Sequence, residues 1–88
     1  MNRYIKESMA QVGCGSSDAQ EIANICSKLS KIQWDTLDAL YNFGIDTDLT
    51  EAGEAARAEL KTEYDDDDLV CLSAYVNAYR NTIGAYAN

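Results

Sequence analysis

Apolar residues recur at three- and four-residue spacing along nearly the whole chain, and no proline interrupts them. That period places side chains on one face of a helix, whereas a strand would need alternation every second residue. Ile5, Met9 and Val12 predict a helix over about residues 3–12, which Gly13-Cys14-Gly15 stops. Ser17 with Gln20 three residues later is a capping-box signature, and Ile22, Ile25, Cys26 and Leu29 follow on one face, predicting a second helix over about 18–29. The stripe runs on through Ile32, Leu37, Leu40 and Phe43, so one continuous helix to Gly44 is the alternative. Ser30 and Gln33 form another capping box, with Leu29 and Trp34 at the flanking staple positions. This favours a break at Ser30 and a third helix over about 31–43, ending at Gly44 in a left-handed C′ conformation.

Thr50 can cap a fourth helix whose first turn carries Glu51 and Glu54, with Ala52, Ala56, Leu60 and Tyr64 facing inward. Asp65-Asp66-Asp67-Asp68 then opens a last helix with the stripe Leu69, Leu72, Val76, Tyr79 and Ile83, closed by Gly84. Negative charge at that N-terminus is favourable to the helix dipole. The expected fold is all-α, a compact bundle of four to five short helices forming a single domain over residues 1–88.

A chain of 88 residues can bury about 60–70% of the surface its unfolded form exposes, an adequate but thin core. Its hydrophobic fraction of 47% and charged fraction of 25% are those of globular proteins and argue against disorder. The start carries Arg3, Lys6 and Glu7 where a secretory signal would be apolar, and no apolar run reaches the roughly 18–20 residues that span a bilayer. A cytoplasmic location is expected, the host cytoplasm for a phage-encoded protein. Cys14, Cys26 and Cys71 are odd in number, which fits free thiols in a reducing compartment better than a disulfide framework.

Histidine is absent, which excludes dyads and triads with a histidine base and any Cys/His zinc site. The cysteines also lack the close pairing of a structural zinc site. Asp46-x-Asp48-x-Thr50 begins like a calcium loop, but Glu51 stands where the turn glycine belongs and Arg57 where the closing glutamate belongs. Gly13-Cys14-Gly15-Ser16-Ser17 lacks the preceding strand, the lysine and the glycine spacing of a phosphate loop. No carboxylate pair is singled out by its neighbours for acid/base work. The chain is therefore expected to be neither an enzyme nor a holder of a metal or cofactor.

The net charge of −8 is uneven. Residues 1–31 are close to neutral, whereas residues 32–79 carry twelve acids against only Arg57 and Lys61. A field of that sign repels nucleic acid and anionic membrane and attracts basic protein surfaces. The aromatics are mainly tyrosines, and Tyr75, Tyr79 and Tyr86 gather on and after the last helix, where core packing is the favoured role and a homodimer contact the other.

The stretch from Leu29-Ser30-Lys31-Ile32-Gln33-Trp34 through Leu37, Leu40 and Gly44 to Leu49-Thr50-Glu51-Ala52-Gly53 resembles segments flanking the reading helix of bacterial winged-helix DNA-binding domains. That resemblance implies a small transcriptional regulator or adaptor, although the four residues between Gly44 and Leu49 leave no room for a reading helix and wing. In size and charge the chain is also similar to small acidic phage proteins that inhibit nucleases or CRISPR complexes. The leading expectation is an inhibitor that mimics nucleic acid and docks on a basic protein surface, such as a nuclease or CRISPR effector complex, without binding nucleic acid or membrane itself. Asp35, Asp38, Asp46, Asp48, Glu59, Glu63, Asp65, Asp66, Asp67 and Asp68 are the expected partner-binding residues.

Overall fold

The computed structural model describes residues 3–87, and the side chains of residues 3–15 and 18–81 among them. Five helices follow one another: α1 (Arg3–Gln11), α2 (Ser16–Cys26), α3 (Lys31–Phe43), α4 (Glu51–Glu63) and α5 (Asp66–Ala87). No strand occurs among the described residues, so the fold is all-α and the connection between α3 and α4 carries no wing. None of the described helices is long and apolar enough to cross a membrane.

The bundle is built around α5. All four other helices contact it, and Leu72, Ser73, Ala74, Tyr75, Val76, Asn77 and Ala78 are buried in succession. Burial of consecutive residues means that the helix is covered on every side, not along one stripe. Ile5 and Met9 of α1, Ala19 and Cys26 of α2, Leu37 and Leu40 of α3 and Leu60 of α4 complete the core around it. Each fully buried aliphatic side chain contributes about 1.5–3 kcal/mol relative to exposure.

Local signals fix several helix ends as expected. The chain breaks at Ser30, whose hydroxyl accepts from the Gln33 N–H while the Gln33 side chain accepts from the Ser30 N–H at 2.9 Å. The indole of Trp34 donates to the Cys26 carbonyl at 3.0 Å, tying α3 to the end of α2. Replacing Ser30 with alanine is expected to cost about 1 kcal/mol in urea unfolding. An unchanged midpoint would show that Trp34 holds the break without the cap.

Thr50 caps α4 by accepting from the Gly53 N–H at 3.2 Å, and Asp65 caps α5 by accepting from the Asp68 N–H at 2.8 Å. Gly44 ends α3 with φ +107° and ψ 153°, outside the left-handed helical region expected but still a conformation that favours glycine.

Other expectations are corrected. The N-cap of α2 is Gly15, with no side-chain cap, so the helix starts ahead of the Ser17–Gln20 signature; the Ser17 side chain lies outside the described residues. The same helix stops at Cys26 instead of 29, because Lys28 and Leu29 donate to carbonyls three residues back and tighten the chain out of the helix. In α4 it is Gly53, Ala56 and Leu60 that are buried, and Ala52 is exposed. A Cβ on Gly53 would lie 3.0 Å from the Leu49 Cβ. Ile32 and Phe43, at the two ends of the α3 stripe, are exposed, Phe43 to 76%. Helix α5 passes through Gly84, its packed length outweighing the cost of about 1 kcal/mol for one helical glycine. The side chains of Ile83 and Tyr86 lie outside the described residues.

The expectation of three free thiols is overturned. Packing of the α1–α2 turn against α5 brings Cys14 and Cys71, 57 residues apart in sequence, to a Cα separation of 6.0 Å, and they form a disulfide. Cys26 is the free cysteine, fully buried.

Candidate functional site

The structure divides the acidic residues by whether a base answers them. Asp35 and Asp38 face the seam between α3 and α5, where Arg80 reaches Asp35 at 2.5 Å and Asp38 at 3.5 Å. Lys31 also meets Asp35 at 2.8 Å, and the hydrogen bonds from Lys31 and then Arg80 hold the Asp35 carboxyl below its usual range. Asn77 of α5 donates to Asp38 at 3.3 Å and is itself met by Asn81 at 3.1 Å. The aromatic side of this seam stacks Tyr75 on Tyr79 with ring centroids 6.1 Å apart, and sets Tyr79 at a tilt to Trp34 at 5.4 Å. Tyr75 and Tyr79 thus join the α3–α5 packing, with Tyr79 retaining partial exposure.

The connection between α3 and α4 is also internally answered. The Arg57 guanidinium, mostly buried, donates to the carbonyls of Ile45 at 3.2 Å and Thr47 at 2.6 Å and pairs with Glu54. Glu54 in turn accepts from the Leu49 N–H, and that bond, followed by the one from Arg57, lowers its carboxyl below the usual range. Asp46 lies 3.8 Å from Lys61, an exposed pair worth little. Asp48 is exposed in the same connection with no ion-pair partner among the described residues.

The remaining expected site residues have no basic partner among the described residues. Glu59 lies beside a shallow groove between α3 and α4 lined by Ile32, Ala52, Ala55 and Ala56. Glu63 and Asp65–Asp68 crowd the corner where α4 ends and α5 begins. Twelve residues of α5 separate Asp68 from Arg80, about 18 Å along the helix, so the corner and the Asp35–Asp38 seam are different surfaces.

Two residues missing from the expected set join the corner. Asp18 and Glu21 of α2 face Asp68 across a groove of about 280 Å³, with Ile22, Ile25, Tyr64, Cys71 and Leu72 forming its walls. No basic residue lines this groove among the described residues. Burial first, then the neighbouring charge of Glu63, raises the Tyr64 hydroxyl above its usual range and keeps it a neutral phenol. The charge count by chain segment concealed Asp18 and Glu21, because their segment is near neutral overall. Their spacing of three on one helix face was the available signal.

Covalent chemistry finds no thiolate here. Cys14 and Cys71 are consumed by the disulfide, and burial pushes the Cys26 thiol up to about 12. No group of three or more histidine, cysteine, aspartate or glutamate residues is arranged to hold a metal among the described residues. Comparison with protein-family models, with curated proteins and with solved structures finds no match to this chain.

Proposed function

We propose that the chain is a binding protein without catalytic activity, which docks its acidic α4–α5 corner on a basic surface of a nucleic-acid-handling protein and blocks it by mimicking nucleic acid. The observation that carries this reading is the segregation of charge. Asp35, Asp38 and Glu54 are paired with bases, whereas Asp18, Glu21, Glu63 and Asp65–Asp68 gather around a single corner with no basic partner among the described residues. Carboxylates left unanswered in this way project a field that steers a cationic partner and keeps nucleic acid away. A nuclease or a CRISPR effector complex in a host cytoplasm has the kind of basic groove that fits, and inhibition of such a complex is the proposed role.

Immobilised chain exposed to a nuclease-treated lysate of its native host is expected to retain basic nucleic-acid-binding proteins that added salt or competing duplex DNA releases. Reversing Asp65, Asp66 and Asp68 to lysine should slow association and flatten its salt dependence. Retention that survives both the competitor and the reversal would sink the reading.

A further inference from the structure

We propose that the groove between α2 and the α4–α5 corner is an anchor pocket for a lysine or arginine side chain and its apolar neighbour, presented by a basic amphipathic helix of a partner protein. This rests on the acidic-corner reading and adds the place where the contact is fixed. Ile22 and Ile25 of α2 and Leu72 of α5 supply apolar walls, and Asp18, Glu21 and Asp68 supply carboxylates. A long basic side chain needs both surfaces, since its methylene stem packs on apolar groups while its charged head stays polar. Tyr64 adds an aromatic wall, half-buried, against which a cation is attracted.

Size and charge select this occupant. At about 280 Å³ the groove lies below the roughly 300–1,000 Å³ of small-molecule sites, so it suits side chains better than a metabolite. Nucleic acid has the wrong sign. Two other grooves among the described residues do not share this chemistry: one beside α1 carries Lys6 next to Glu7, and one between α3 and α4 offers Glu59 as its lone carboxylate among alanines and Ile32. A helix that spaces basic and apolar residues three or four apart presents both groups to one such site.

Two fluorescent peptides of equal length and charge separate the pocket from general attraction. One is helical, with lysine and leucine four residues apart, and the other has the same sequence with each leucine replaced by glutamine. Anisotropy titrations should show the first binding at least about tenfold more tightly, the advantage expected of burying one leucine. Ile25→Trp, which fills the groove, and Ile22→Gln, which removes apolar wall without adding bulk, should each erase that advantage while both peptides still bind at low salt. Circular dichroism and urea midpoints identify a variant that has lost its fold, and the other then supplies the result. Equal affinities of the two peptides, or an advantage that persists in a folded variant, would overturn the pocket while the acidic-corner reading stands. Failure of both peptides to bind at low salt would overturn both.

Discussion

Reducing the Cys14–Cys71 disulfide is expected to destabilise the protein by about 2–4 kcal/mol, which lowers the melting temperature by at least about 10 °C in a domain of this size. The bridge joins residues 57 apart in sequence, so it removes a large share of the conformations open to the unfolded chain. The chain-entropy argument alone gives about 4 kcal/mol for a loop of this length, and structure retained in the reduced unfolded state brings the expectation down. Urea unfolding with and without dithiothreitol measures the effect, and Cys14→Ser combined with Cys71→Ser should reproduce the reduced curve. Cys26 provides an internal control. It is fully buried, with its thiol pushed up to about 12, and should react with thiol reagents only after unfolding. Coincident curves in the two redox states, or three thiols titrating in unreduced protein after unfolding, would refute the pairing.

The second large effect comes from the central helix. Leu69→Ala is expected to cost about 2–5 kcal/mol, because a fully buried leucine surrounded by packed neighbours leaves a cavity that the bundle cannot close. Phe43→Ala should change stability by no more than about 0.5 kcal/mol, although phenylalanine is the larger side chain, because Phe43 is exposed at the end of α3. The comparison tests the placement of the core more sharply than either substitution alone. Equal effects at the two positions would mean that α5 is not the buried axis.

Legibility in the sequence followed the range of the interaction. The caps at Ser30 and Thr50 depend on residues three apart and are present as expected, and the acidic run that opens α5 supplies its cap through Asp65. Leu69, Leu72 and Val76 were recognisable from their period, but burial of Ser73, Ala74 and Tyr75 between them was not, because nothing local reports that four helices converge on one. The Cys14–Cys71 bridge and the α2 start at Gly15 follow from the same tertiary event, the anchoring of the α1–α2 turn to α5. Electrostatics divided in the same way. Asp65–Asp68 declared themselves as a run, whereas the engagement of Asp35 and Asp38 depends on Arg80, more than forty residues away, and Asp18 and Glu21 become part of the corner only when α2 is laid beside it.

The position of α5 in chain order has a consequence for biosynthesis. The ribosome delivers α1 to α4 before the helix on which all of them pack, so their apolar faces emerge without the surface that is to cover them. At about 5–20 residues per second the wait lasts seconds, long compared with the microseconds in which a helix forms. Assembly of this domain therefore waits for α5, and a nascent chain cut short before Leu69 carries exposed apolar surface that chaperones and proteases can read.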